Sequence, residues 1–93
     1  MSKIPIQVDR IGKDELKRQI LRIAIIAELD AISLYEQLAS MTDDDSLRKV
    51  LLDVAREEKT HVGEFLELLK RIDSEQEEEL KKGKAEVEEI VGH

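Results

Sequence analysis

The sequence predicts an all-α fold: an antiparallel helical hairpin followed by a C-terminal helix, with two copies pairing into a four-helix bundle. Three observations predict it. Composition favours amphipathic helix, with 40% charged and 41% hydrophobic residues, one Tyr, one Phe and no Trp. Apolar residues recur in alternating steps of three and four along two segments, the pattern of helices that bury one face. The segment Thr42-Asp43-Asp44-Asp45-Ser46 interrupts that pattern between them. A chain of 93 residues makes one domain, 1–93, whose modest core a partner chain often supplements.

Residues 1–12 read as an extended lead segment, because Ile4-Pro5-Ile6 and Gly12 oppose helix. The first helix is expected over 14–41, with Asp14 as its N-cap. Its inner stripe runs Leu21, Ala24, Glu28, Ala31, Tyr35, Leu38. Ile20, Ile23, Ile25 and Ile32 widen the apolar surface, which suggests more than one neighbouring helix. The three aspartates of the break suit a turn and an N-cap at the positive end of the next helix. They would also suit a hard cation, but no Gly or closing Glu marks a cation loop. The second helix is expected over 46–72, with the stripe Leu47, Leu51, Val54, Glu58, His61, Phe65, Leu68, Ile72. Ser74 and Glu77 match a Ser-x-x-Glu capping box and open a third helix over 75–91, which Gly83 is expected to bend or divide. Its apolar residues, Leu80, Ala85, Val87, Ile90 and Val91, are too few to build a core, and Gly92-His93 reads as a frayed end.

Several function classes are disfavoured. The net charge of −7 opposes nucleic-acid binding, which requires clustered Lys and Arg. An acidic surface raises local cation concentration, although most such surfaces serve only solubility. Without cysteine there is no disulfide, zinc-thiolate site or thiol chemistry. The run Ile20–Ala27 is interrupted by Arg22 and closed by Glu28, so no apolar segment is long enough for a membrane. No N-terminal targeting signal is recognised, and the chain is expected to be cytoplasmic.

The chemistry-bearing residues are those that invade the apolar stripes. Glu58 and His61 form a Glu-x-x-His motif at two positions of the second stripe, projecting from adjacent turns of one face. An unpaired charge in an apolar seam costs about 3–5 kcal/mol, and shared metal coordination removes that cost. Carboxylate and imidazole donors suit iron, manganese or zinc. Such residues also occur as register devices or satisfied core groups, and Glu28 is what shifts the balance. It lies about 16 residues before the centre of the break, and Glu58 and His61 lie about 14 to 17 after it, so a hairpin puts them at matching heights.

Di-iron carboxylate bundles take one Glu from each of two helices and a Glu-x-x-His from each of the other two. This chain carries half of that set: Glu28, and Glu58 with His61. Two copies would complete it near a two-fold axis, with two iron ions per dimer interface. Tyr35 lies seven residues from Glu28, about 10.5 Å along the helix. It fits equally a group that hydrogen-bonds a ligand carboxylate across the interface and a core Tyr with its hydroxyl at the surface. Glu57 suits either support of the ligands or a solvated face, and Asp30 could line a cation route. Arg56, Lys59 and Lys70 are expected to pair with Glu64 and Glu67 on the outer faces.

The segment Ala-Glu-Leu-Asp-Ala-Ile-Ser-Leu-Tyr-Glu (27–36), with Arg-Glu-Glu-Lys-Thr-His (56–61) following, resembles the encapsulated ferritins, over roughly residues 14 to 80. The form it looks most like is the archaeal one, in which a ferritin-like domain precedes an encapsulin shell domain in one chain. The resemblance implies a ferritin-like ferroxidase that oxidises Fe(II) with O2 or peroxide at a di-iron centre between two subunits. It implies Glu28, Glu58 and His61 as ligands, Glu58 bridging, with Tyr35 beside the centre. It further implies a ring-shaped decamer inside a cytoplasmic encapsulin nanocompartment, with an encapsulin shell protein or fused shell domain as partner and the shell doing the storage. Where some members have an acidic residue before the first ligand this chain has Ala27, with Asp30 after it, so the iron access site is reduced. Leu34 stands where some have Trp, and no encapsulin-targeting tail is recognised after the third helix. Two other classes share the residue pattern: a rubrerythrin-like peroxide-reducing protein, and a non-catalytic metal-binding helical adaptor.

Overall fold

The computed structural model describes residues 12–93, and helices account for nearly all of them: α1 (Lys13–Ser40), α2 (Asp45–Ile72) and α3 (Ser74–Val91). The extended backbone expected over residues 1–11 lies outside the described residues. Helices α1 and α2 have 28 residues each, about 42 Å at the usual rise. They run antiparallel and pack along their length, as the sequence predicts, and α3 leaves the end of α2 with slight packing against it. The radius of gyration is 16.9 Å, against about 12 Å for a compact domain of this length. The chain is therefore a flat hairpin with an arm.

The helix ends follow local chemistry, with two departures from expectation. At the α1–α2 turn the Met41 N–H returns to the Leu38 carbonyl at 3.1 Å. Asp44 then caps α2, its carboxylate accepting from the Leu47 N–H at 2.9 Å. The aspartate-rich break is thus a turn and an N-cap. Arg48 donates to the Thr42 carbonyl at 2.7 Å and closes the turn from the other side. Asp14, in contrast, is not a cap. Helix α1 begins a residue before it, the Leu16 N–H bonding the Gly12 carbonyl at 2.9 Å, and no side chain caps this end. Asp14 and Glu15 instead place negative charge in the first turn, against the positive end of the helix.

The second departure is at α3. The Ser74–Glu77 capping box is replaced by Asp73, whose carboxylate accepts from the Gln76 N–H at 3.0 Å. Ser74 already lies inside the helix, because one non-helical residue, Asp73, is enough to separate α2 from α3. Helix α3 runs unbroken through Gly83, on an exposed stretch where nothing stands near that residue to bend it. It ends at Gly92, whose φ of 87° is the left-handed conformation that favours glycine at a helix C-terminus.

The core is small. Among the described residues only Ala39, Ala55 and Leu69 are buried apolar side chains. Ala55 and Leu69 stand beside the expected α2 stripe rather than on it, while Leu47 and Leu68 of that stripe are half exposed. The physical reason is the width of the apolar faces. The α1–α2 contact occupies one edge of each, and the other edge, with Ile20, Leu34 and Leu38 on α1 and Leu47, Val50 and Leu68 on α2, stays open. Outer-face pairing follows expectation at Lys70 and departs from it at Arg56 and Lys59. Arg56 pairs with Asp53 one turn back at 3.1 Å, and Lys59 reaches Glu36 of α1 at 3.3 Å, while Lys70 and Arg71 take Glu67 at 4.0 and 2.9 Å. An i,i+3 partner is simply closer to Arg56 than Glu64 is.

Two predictions follow from the caps and the first turn. Asp44→Ala removes the α2 cap and should cost about 1 kcal/mol in urea unfolding. At Glu15, hydrogen bonds from Arg18 and then Gln19 hold the carboxyl below its usual range, with the charges of Arg18 and Arg22 adding to this. A depressed folded pKa means stabilisation that is present above the unfolded carboxylate pKa and lost as pH falls through the folded one. A carboxyl-carbon NMR titration should place the Glu15 midpoint below that of a free glutamate, and Arg18→Ala should move it back up.

Candidate metal centre

Glu28 is carried near the middle of α1, and Glu58 and His61 near the middle of α2. The antiparallel packing brings the three together. The His61 Nδ1 atom lies 3.3 Å from Glu28 Oε2 and 3.5 Å from Glu58 Oε2. One donor atom from each residue lies within 4.8 Å of the others. For metal–ligand bonds of about 2.1 Å, two donors on one ion are about 3.0 Å apart when adjacent and about 4.2 Å when opposite. The short pair distances already fall in that range, and the widest needs only a sub-ångström adjustment. The donor set, two carboxylates and an imidazole with no sulfur, fits iron or manganese.

The environment is lopsided. The carboxylates are sheltered, each 19% exposed, whereas the His61 side chain is 42% exposed. At about 100° per residue, His61, Val50 and Leu68 point to one edge of α2, turned by about 60–80° from Glu58. Ile20 and Leu38 are turned by a similar angle from Glu28 on α1. The cluster therefore opens onto an exposed apolar face formed by both helices. A carboxylate pair beside an imidazole, ringed by uncovered leucine and isoleucine, can share a cation and can accept a second surface across it.

Tyr35 does not join this cluster. It is half-buried on the same face of α1 as Glu28 but about 10.5 Å further along the axis, so any contact with a ligand carboxylate would come from another chain. Glu57, one residue before Glu58, is exposed on the outer surface. Sequence reasoning missed two cross-helix ties: the Lys59–Glu36 bridge next to Glu58, and the pairing of Arg22 with Asp73 at 3.4 Å. Neither has a signal in the sequence, because the partners lie on different helices at spacings no motif encodes.

An antiparallel helical hairpin with one Glu on the first helix and a Glu-x-x-His facing it on the second defines a carboxylate–histidine class of helical protein. The chain belongs to the EncFtn-like family, whose model matches residues 6–84. It is 62% identical over 80 residues to a ferritin-like–encapsulin shell fusion protein of Pyrococcus furiosus, covering 86% of this chain and 23% of that protein. It is 45% identical over 62 residues to the encapsulin nanocompartment cargo protein EncC of Myxococcus xanthus, covering 67% of this chain and 47% of that one. The chain thus spans about a quarter and about half of these relatives. Among solved structures, the encapsulated ferritin domain from Pyrococcus furiosus superposes with a TM-score of 0.86 at 55% identity, covering 100% of this chain and 97% of that one.

The geometry generates a binding prediction. Anaerobic calorimetric titration with Fe(II) should show binding that Glu28→Gln weakens by more than about tenfold, the loss typical of disturbing even a supporting group around a metal. Unchanged binding would mean that Glu28 is not a ligand.

Proposed function

We propose that this chain is a ferroxidase whose di-iron site is completed by a second copy, oxidising Fe(II) to Fe(III) for storage in an encapsulin nanocompartment. The observation that carries this reading is the placement of Glu28, Glu58 and His61 together at the middle of an uncovered apolar face. A two-fold pairing across that face supplies four carboxylates and two imidazoles to two ions, the donor count of a di-iron bundle. The names of the relatives, one fused to an encapsulin shell and one an encapsulin cargo, support the compartment and the partner. Among the described residues no helix is long and apolar enough to cross a membrane.

Iron at this site is substrate, and it supplies the one-electron couple. The residues of the chain do the rest. Carboxylates stabilise the trivalent ion more than the divalent one, which lowers the cost of losing the electron. Glu28, Glu58 and His61 would hold the iron, and Glu58 would be the carboxylate shared by both ions, as the family resemblance implies. His61 offers Nδ1 to the cluster, and a neutral imidazole is the form that binds. Two Fe(II) per site give two electrons, the number that takes O2 and two protons to hydrogen peroxide. The closing apolar face excludes water, so the acidic donors act at short range in a low dielectric. Tyr35 of a second copy would hydrogen-bond a ligand carboxylate, in line with the place beside the centre that the family resemblance implies. Assembly into a ring-shaped decamer extends the same pairing.

Stopped-flow measurement of Fe(II) oxidation tests the reading. Glu58→Ala and His61→Ala should each reduce the rate by more than about tenfold, while Glu57→Ala leaves it near that of the parent chain. Equal rates in all three would overturn it. Native mass spectrometry should show iron and even-numbered assemblies appearing together, because metal neutralises the carboxylates that pairing buries.

A further inference from the structure

Outside the candidate metal centre, the junction between α2 and α3 gathers several independent features on one residue. Asp73 alone is non-helical between Ile72 and Ser74, with φ −136° and ψ 89°. Two backbone dihedrals therefore set the direction in which α3 departs. The Asp73 carboxylate is well sheltered, 14% exposed, and its two oxygens face different helices. Oδ1 accepts from the Gln76 N–H of α3, and Oδ2 takes the guanidinium of Arg22, on α1, at 3.4 Å. Arg22 is itself steadied by Glu15 at 3.7 Å.

Little else holds α3 in place. It contains no buried residue, and its apolar side chains Val87, Ile90 and Val91 are exposed. Between it and the hairpin lies an open cleft of about 370 Å³ lined by Arg22, Ile25, Ile26, Leu66, Leu69 and Gln76. An ion pair whose cation is half exposed contributes little to global stability. Here it acts on a different equilibrium, the angle of a thinly packed helix about a one-residue joint, where a small bias decides the population.

We propose that Asp73 is a hinge between α2 and α3 and that Arg22 latches it, so that an ionic contact sets the angle of α3 to the hairpin. Asp73 is in this sense a positioning residue. It couples the cap of one helix to a cation on another, and the cleft gives α3 room to move when the contact opens.

Electron–electron distance measurement on the full chain tests this. The chain has no cysteine, so Lys49→Cys on α2 and Glu89→Cys on α3 take spin labels cleanly, with labelled chains diluted in unlabelled ones. The parent should give a narrow distribution at low salt that broadens and shifts as screening shortens from about 10 Å at 0.1 M to about 3 Å at 1 M. Asp73→Asn keeps a good N-cap and loses the charge; it should be broad at low salt and insensitive to more. Arg22→Gln should behave alike, and Arg22→Lys should retain the parent distribution. Helicity by circular dichroism should be unchanged throughout. A parent distribution that ignores salt, or an Asp73→Asn distribution as narrow as the parent's, would overturn the latch. Broadening that comes with lost helicity would overturn it too, since the cap and not the ion pair would then be the determinant.

Discussion

Two helices side by side can bury one seam, and this chain asks that seam to hold two carboxylates and an imidazole. The rest of the structure answers to that constraint. A hairpin is too thin to enclose the three groups, so it shelters Glu28 and Glu58 and leaves His61 facing outward. The apolar rim around them is correspondingly uncovered, and the buried core among the described residues shrinks to Ala39, Ala55 and Leu69. If a second copy completes the ligand set, as proposed, incomplete burial and half a ligand set are the same fact seen in packing and in chemistry. In the proposed reading, covering the face and completing the site would be one event, which would tie metal affinity to association.

Much of this was legible in the sequence because two periodicities had to agree. The stripe on each helix located its polar intruders, and the position of the aspartate-rich break placed Glu28 opposite Glu58 and His61. Their matching heights required only helical rise and an antiparallel turn, and the structure brings His61 to 3.3 Å from Glu28. The hairpin, its turn and the Asp44 region were readable for the same reason.

What was not legible depends on side chains choosing between near-equal partners. Asp14 and Gly12, or Ser74 and Asp73, are competing helix starts within two residues of each other, and the structure takes the backbone bond to Gly12 and the bond from the Gln76 N–H to the Asp73 carboxylate. The α2 stripe was drawn along the middle of a broad apolar face, whereas α1 covers only one edge of it. Sequence spacing gives the face but not which edge a neighbour takes. The Arg22–Asp73 tie spans most of the chain and leaves no periodic trace.

The turn at Met41–Asp44 gives this molecule an origin from which its donors are measured. Adding one residue inside α2 before Glu58 would rotate both of its donors by about 100° and carry them about 1.5 Å along the axis, away from Glu28. Adding one after Ile72 would leave the three donors and the α1–α2 packing where they are and change only how α3 departs. The same insertion in the turn lengthens a loop without moving either helix register. Length variation in this fold is therefore tolerated at its ends and its turn, and the two stretches between turn and donors behave as rulers whose graduations descendants of the sequence cannot lose.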